Sequence, residues 1–480
     1  MKQILYVGSE AAPFAATGGL GDVLGSLPNE VASAGGDDVD VRVVLPLYGS
    51  VKEEFRREMK LEAEFKVQLA WRWVYCGIKS LSRGGVTWYF IDNESYFKRE
   101  GGLYGHFDDG ERFAFFCSAV MEMLRVLSFY PDILHANDWQ SALTVIYAKR
   151  RYGLMPGYCD IKTIFTIHNI EYQGKYGFEI LGDVFGLSAE DRSIVENDGC
   201  INLMKGAIQC CDLLTTVSPR YAGEIQSPEY AHGLEEIIRR NNYKLSGILN
   251  GIDYTSYNPK TDPALPVRYS SRTPEKKREN KIVFQKSMAL PVDPDKPLFA
   301  MITRLAEHKG LDLVRAAIDR ILSEDLQFVI LGTGEYGYEQ YLHGLESRYR
   351  NKVRSIILFD RELSRRIYAA ADYFIMPSKS EPCGLSQMIA SRYGAIPITR
   401  ETGGLADSIH GYWEENGRLH GNGFTFANYS ADELYDRVRA ALGLYADQDK
   451  FRRFVTRVMR TDFSWEHSAR QYLALYGVNI

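Results

Sequence analysis

The residues best suited to chemistry lie between Phe374 and Met388, in Phe-Ile-Met-Pro-Ser-Lys-Ser-Glu-Pro-Cys-Gly-Leu-Ser-Gln-Met. The stretch opens as a short apolar run, as a buried parallel strand does. It breaks at a polar loop and resumes with helical spacing through Leu385, Met388 and Ile389. The loop carries one carboxylate, Glu381, next to Pro382, Cys383 and Gly384. Backbone N–H groups at such a junction can donate to hydroxyls or to an anion. A single carboxylate beside such donors suits a neutral polyol such as a hexose. The same carboxylate could equally do no more than complement the helix dipole. Cys383 has to be weighed as a thiol nucleophile, but a small residue packed in a turn is the better reading.

Arg304 and Lys309 straddle a second strand-to-helix junction, where both can point at one anion. Arginine offers a planar fork and lysine a point charge. Fixed cations there would stabilise the charge that grows on a departing diphosphate. Two exposed surface cations are the alternative. Thr17-Gly18-Gly19-Leu20-Gly21-Asp22 follows the first apolar run, and its glycines let backbone approach a ligand. Thr402-Gly403-Gly404-Leu405 repeats that logic. Gly332-Thr333-Gly334-Glu335-Tyr336-Gly337 matches the dinucleotide pattern, but no acidic residue ends a second strand, so hydride transfer is not expected. His168 closes an apolar run, where it can bond a sugar hydroxyl or serve structure alone. Asn250 and Asp253 read as a turn that could also carry a polar contact.

These residues need strands and helices to hold them. Apolar runs predict strands at 4–7, 41–45, 87–91, 133–135, 163–167 and 213–217, then at 298–302, 328–331, 373–376 and 396–399. Amphipathic stretches, 111–127 and 142–151 among them, lie between. The alternation predicts an α/β protein with parallel sheets covered by helices on both faces. A Pro-rich, charged segment from Tyr257 to Pro297 interrupts it. It reads as a linker near residue 258 followed by a surface excursion, with the charges at 275–279 on a solvated face.

Composition narrows the class. At 480 residues the chain is long enough for two domains. A formal net charge of -5 argues against general binding to phosphate backbones, so no nucleic-acid partner is expected. No run reaches the ~18 apolar residues of a membrane span. The first residues read as a strand and not as a signal peptide, so a cytoplasmic location is expected. Seven cysteines, with no C-x-x-C pair, indicate neither a disulfide framework nor a zinc site.

Taken together, the loop 377–387 and five further segments resemble the bacterial glycogen synthase and starch synthase family. The segments are 17–23, His135-Ala136-Asn137-Asp138-Trp139-Gln140, Thr166-Ile167-His168-Asn169, Leu249-Asn250-Gly251-Ile252-Asp253, and Thr303-Arg304-Leu305 with Lys309-Gly310-Leu311-Asp312. Phe463-Ser464-Trp465-Glu466 looks like the family's terminal helix. The resemblance implies a GT-B architecture: two Rossmann-like domains, 1–258 on the acceptor side and 259–462 on the donor side, with a cleft between them. A helix over 463–480 would cross back to the first domain.

It implies transfer of glucose from ADP-glucose to the nonreducing 4-hydroxyl of an α-1,4-glucan, with retention. UDP-glucose as donor, or a catalytically weakened glucan-binding paralogue, are the alternatives. His168, Arg304, Lys309, Glu381 and Asp138 would carry catalysis. Donor contacts would come from Thr17, Gly18, Gly19, Asp22, Asn250, Gly334, Phe359, Cys383, Gly384, Leu385, Thr402, Gly403 and Gly404. Phe359 would stack on the nucleobase where the family often has tyrosine. Neither a metal nor pyridoxal phosphate is implied, and no segment resembles the cofactor lysine site of a glucan phosphorylase. Broader GT-B relatives carry a second glutamate eight residues after the first; here that position is Ile389. The family usually has lysine before Thr-Gly-Gly, and this chain has Ala16.

Overall fold

The computed structural model describes residues 1–478. The chain forms two compact units. One is Met1–Asn250 with the C-terminal segment from Trp465, and the other is Gly251–Ser464. The division thus falls at Asn250/Gly251, ahead of the expected 258.

The first unit contains β1 (Lys2–Val7), α1 (Gly19–Gly35), β2 (Val39–Pro46), β3 (Lys60–Leu69), β4 (Arg72–Arg83), β5 (Val86–Asp92), α2 (Asp109–Val126), β6 (Ile133–Asn137), α3 (Trp139–Arg150), β7 (Lys162–Ile167), α4 (Leu203–Cys210), β8 (Leu213–Thr216) and β9 (Leu245–Gly247). One sheet holds the strands in the order β9-β8-β7-β6-β1-β2-β5-β4-β3. Its central strands are continuous apolar runs because helices cover both faces. Pairing is parallel from β9 to β5 and antiparallel for β5–β4 and β4–β3. The expectation of parallel sheets thus holds from β9 to β5, and the edge pair β4 and β3 is added antiparallel. The reason this edge is absent from the expected strands is visible in Glu-Phe-Lys-Val-Gln-Leu: residues alternate because one face is open, so no apolar run marks the strand.

The second unit contains α5 (Lys277–Ser287), β10 (Leu298–Ile302), α6 (Leu311–Ser323), β11 (Gln327–Leu331), α7 (Tyr336–Arg348), β12 (Val353–Ile356), α8 (Arg361–Ala370), β13 (Tyr373–Met376), α9 (Ser386–Arg392), β14 (Ile396–Arg400), α10 (Gly403–Ser408), β15 (Phe424–Phe426), α11 (Ala431–Ala446) and α12 (Gln448–Met459). Its parallel sheet runs β12-β11-β10-β13-β14-β15. In both sheets the order reverses beside the unit's first strand, at β1/β6 and at β10/β13. Connections leave to opposite faces there, which opens a crevice above the strand ends.

Two expectations for 257–297 are corrected. The segment includes α5, and its charged residues are not all solvated. The Lys277 ammonium is buried and donates to the carbonyls of Tyr368 and Ala369 at 2.8 Å each, at the C-terminal end of α8. Lys281 is buried against Asp372 at 2.6 Å. Long aliphatic stems let lysines cover apolar surface while the head finds carbonyl oxygens.

The last helix, α13 (Trp465–Leu475), belongs to the first unit and packs on α1, with Leu473 beside Gly35. It buries Trp465, Ala469, Tyr472 and Leu473. Just beyond it, the Tyr476 hydroxyl meets Tyr6 at 2.7 Å and His135 Nδ1 at 2.8 Å. The chain's end thereby braces the strands β1 and β6 that flank the switch point.

Candidate active site

In the second unit the two switch-point strands each deliver one charge. Lys309 lies in the 3-10 turn Glu307–Lys309 after β10, and Glu381 in the loop after β13. The Lys309 ammonium donates to both carboxylate oxygens, at 2.9 and 2.7 Å, and Ser378 Oγ donates to Oε2 at 3.0 Å. Glu381 is only 6% exposed. Residues 72 positions apart in sequence thus form a nearly dry ion pair, whose geometry is set on both sides by strand ends.

Glycines allow these loops to meet. Gly310 has φ +78°, and a Cβ there would lie 2.2 Å from the Pro377 carbonyl oxygen. The Lys379 N–H donates to the His308 carbonyl at 2.9 Å, closing the same contact. The Gly404 N–H donates to the carbonyls of Glu381 and Pro382, and a Cβ would stand 2.2 Å from the Cys383 oxygen. Gly403, at φ +44°, would place a Cβ 2.0 Å from the Glu381 oxygen. The dinucleotide-like glycines behave the same way. A Cβ on Gly332 would collide with the Thr303 carbonyl and one on Gly334 with that of Leu305. The Leu305 N–H donates to Thr333, and the Glu335 N–H donates to Leu305. Gly334 therefore shapes the backbone that carries Arg304, whose side chain is exposed.

Below Glu381 the loop is held by Gln387. Its Nε2 donates to the carbonyls of Cys383 (3.2 Å) and Gly384 (2.8 Å) and to Ser408 Oγ (3.0 Å). Cys383 is buried, and α9 starts after Leu385 without a side-chain cap. That leaves first-turn donors of the helix to the loop's surroundings. Phe359 is 78% exposed, just before the cap of α8, where the Asp360 side chain accepts from two backbone N–H groups. Thr402 is buried at the start of α10.

The first unit builds its own constellation at β1, β6 and β7. Thr17, Gly18 and Gly19 are exposed, and α1 begins at Gly18 without a side-chain cap. Asp22 sits in its first turn. Glu10, buried at 4% exposure, anchors this loop: its Oε2 accepts from the Thr17 backbone N–H at 2.5 Å and from Thr17 Oγ1 at 2.9 Å. Burial raises the Glu10 pKa above the ordinary value despite these donors, with Asp22 adding to the rise.

Asp138 ends β6 with φ +56°, a conformation that costs a non-glycine residue energy. Its Oδ1 accepts from the His168 N–H at 2.8 Å and the Asn169 N–H at 3.5 Å, tying β6 to the end of β7. Loss of solvation raises its pKa to about 7, which the backbone donors only partly oppose. His168 Nε2 lies 2.9 Å from Asn137 Oδ1. The Asn137 amide nitrogen donates to the carbonyls of Val7 and His135, so its oxygen is the acceptor facing the ring. Nε2 then carries the hydrogen and Nδ1 presents a lone pair. Burial pushes the His168 pKa down to about 3, keeping the ring neutral. Asn250 is buried, and among the described residues its Oδ1 meets no hydrogen-bond partner.

The structure thus joins Lys309 with Glu381, and Asp138 with His168. Sequence reasoning did not single out Glu10, Ser378, Asn137 or Gln387. Glu10 was accessible to it, as a carboxylate soon after the first strand's end. Gln387 was not, since nothing in a helical amide says which carbonyls it will reach. Among the described residues no group of His, Cys, Asp or Glu is placed to hold a metal ion. Among them, too, no helix is long and apolar enough to cross a membrane.

Comparison with known proteins bears on these constellations. Residues 3–240 match the family model of the starch synthase catalytic domain, and 284–457 that of glycosyl transferases group 1. Glycogen synthase of Lactobacillus acidophilus is 46% identical over 99% of each chain. That of Geobacillus stearothermophilus is 45% identical over 99% of this chain and 97% of its own. Among solved structures, the catalytic domain of starch synthase IV from Arabidopsis thaliana, bound to ADP and acarbose, superposes with a TM-score of 0.91. It is 35% identical and covers 99% of both chains. Sucrose-phosphate synthase from Thermosynechococcus elongatus shares the fold, with a TM-score of 0.61 at 16% identity. With its two switch-point sheets and this likeness along its whole length, the chain belongs to the glycogen synthase and starch synthase family of GT-B glycosyltransferases.

Proposed function

We propose that the protein transfers glucose from ADP-glucose to the nonreducing 4-hydroxyl of an α-1,4-glucan, with retention. The Lys309–Glu381 pair carries this reading, because it sets a cation and a hydroxyl acceptor side by side at a strand-end crevice. The related starch synthase IV was solved with ADP and acarbose, a nucleotide and an oligosaccharide mimic, which supports both substrate classes. In the proposed reaction the second unit takes the donor and the first unit the acceptor side. Glu381 and the backbone amides of residues 383–385 hold the glucose 3- and 4-hydroxyls. Lys309 and Arg304 stabilise the departing diphosphate. Neutral His168 accepts from a sugar hydroxyl through Nδ1, and Asp138 holds that histidine's backbone in place. A departing phosphate oxygen takes the acceptor's proton, so the scheme calls for no resident cofactor.

The test is direct. Incubation with ADP-glucose and a malto-oligosaccharide should give products longer by single glucose units, with ADP released in step. Failure of both ADP- and UDP-glucose on every primer would sink the proposal.

Ala16 makes a sharper prediction about the donor. It is half-buried beside Gly21, next to the exposed Thr17-Gly18-Gly19 loop. By the family's pattern a lysine here would add a cation near the diphosphate, and a charge-assisted contact is worth ~1.5–3 kcal/mol when shielded and less when solvated. Ala16→Lys should therefore lower the Michaelis constant for ADP-glucose and leave that for glucan alone. The gain should shrink with added salt. A donor constant that stays level or rises would mean that this loop has been rebuilt around alanine.

A further inference from the structure

The hairpin β3–β4, missed by sequence patterning, carries an exposed aromatic strip. Trp71, Trp73 and Tyr75 occupy alternate positions and are 72%, 63% and 45% exposed. The intervening side of the hairpin is covered, with Val67, Leu69, Cys76 and Ile78 buried. On the open side, Gln68 pairs across from Trp73, Lys66 from Tyr75 and Glu64 from Gly77.

Trp71 and Tyr75 are held by their polar ends. Trp71 Nε1 donates to Asp183 Oδ1 at 2.7 Å, and the Arg72 guanidinium lies 5.4 Å from its ring centre. The Tyr75 hydroxyl donates to Glu64 Oε1 at 2.7 Å. That hydroxyl lies 2.9 Å from where a Cβ of residue 77 would be, so the tyrosine lies along the strand over Gly77. With these polar atoms paired, the ring faces are what remains to be covered.

The charges around them are balanced. Arg72 pairs with Glu111 at 2.9 Å, Lys79 with Asp92 at 2.9 Å and Lys60 with Glu62 at 3.1 Å. An electrically balanced strip does not recruit a polyanion or an anionic membrane. Aromatic faces interleaved with Gln68, Lys66 and Glu64 are not the continuous apolar core of an obligate protein interface either. They match an uncharged ligand with flat apolar faces and a rim of hydroxyls.

We infer that the Trp71–Trp73–Tyr75 strip is a second carbohydrate site, binding a chain of the α-glucan remote in sequence from the residues that act on it. The inference rests on the glucan reading given above. Pyranose rings would stack on the exposed faces, and their hydroxyls would bond Gln68, Lys66 and Glu64. The strip would tether polymeric acceptor and raise the local concentration of its chain ends, a gain that short acceptors cannot share.

The experiment uses the full-length protein in native gels containing amylopectin, with dextran and glucan-free gels as controls. Wild type should be retarded by amylopectin. Trp73→Ala and Trp73→Ala/Tyr75→Ala should lose most of that retardation, and Trp73→Tyr should keep much of it. In kinetics, the double variant should raise the half-saturating glycogen concentration on the order of ten-fold, leaving turnover and the constants for maltotetraose and donor unchanged. Retardation of the double variant equal to wild type overturns the inference, as does absence of retardation in wild type. A concentration-dependent dimer that only the variants lose, seen by sedimentation, assigns the strip to a second copy and also overturns it. Retardation is read without catalysis. A wild type that binds through the strip yet elongates nothing would defeat the glucosyl-transfer proposal and leave this site standing.

Discussion

Lys309→Ala is expected to lower turnover by roughly 10- to 150-fold, the worth of one lost charge-assisted contact of ~1.5–3 kcal/mol. Glucan binding should change much less. The substitution removes a cation from the proposed leaving-group site. It also strands a carboxylate that is 6% exposed, with the Ser378 hydroxyl still bonded to it. Breaking a buried pair costs more than the pair is worth, because the surviving charge stays desolvated. Two consequences can be separated. Adding Glu381→Gln to Lys309→Ala should recover stability, since no bare charge remains, but it should not recover turnover. Lys309→Arg should fold well, because its fork can still bond both Glu381 oxygens, and act poorly, because the broader guanidinium does not present a compact point charge to the departing diphosphate. Steady-state release of ADP and urea unfolding of the three variants and the wild type would measure both effects. Unchanged turnover in Lys309→Ala would make this lysine a purely structural partner of Glu381.

Asp138 gives the second large effect, through pH. Its carboxyl has a folded pKa of about 7 against an ordinary value of 3.8. Folding therefore favours the protonated form. Below about pH 4 the group is protonated in both states and burial carries no charge penalty. As pH rises from there to about 7, the unfolded chain ionises first and the folded state loses stability relative to it. Above 7 the loss is complete. Three pKa units correspond to ~4 kcal/mol, an upper bound given that Asp138 retains some exposure. Asp138→Asn keeps an oxygen for the N–H groups of His168 and Asn169 and tolerates positive φ. It should be more stable than wild type at pH 8 by ~2–4 kcal/mol and equal to it near pH 4. Urea unfolding at the two pH values decides this. A stability difference that does not vary with pH would show that the carboxylate is solvated and titrates normally.

What could be read from sequence was what lies along it. Short apolar runs marked the central strands because those strands are buried on both faces, and β10 and β13 fall where the runs predicted them. Loops at the ends of β10 and β13 marked Lys309, with Arg304, and Glu381 as separate candidates, because a doubly wound sheet turns out its loops there. The β3–β4 hairpin escaped because its alternation reflects one open face, and Lys277 escaped because its charge is met by carbonyls far along the chain. Glycines were legible as places where backbone comes close, but not as to what it approaches. Gly334, Gly403 and Gly404 make room for the carbonyls of Leu305, Glu381 and Cys383. Residue types and spacing determined which groups stand at the strand ends. Only the tertiary structure decided that Lys309 closes on Glu381, that Glu10 holds Thr17 and that Asp138 carries its proton near neutral pH. Pairing depends on distance and pKa on burial, and both are set by the packing of segments far apart in the chain.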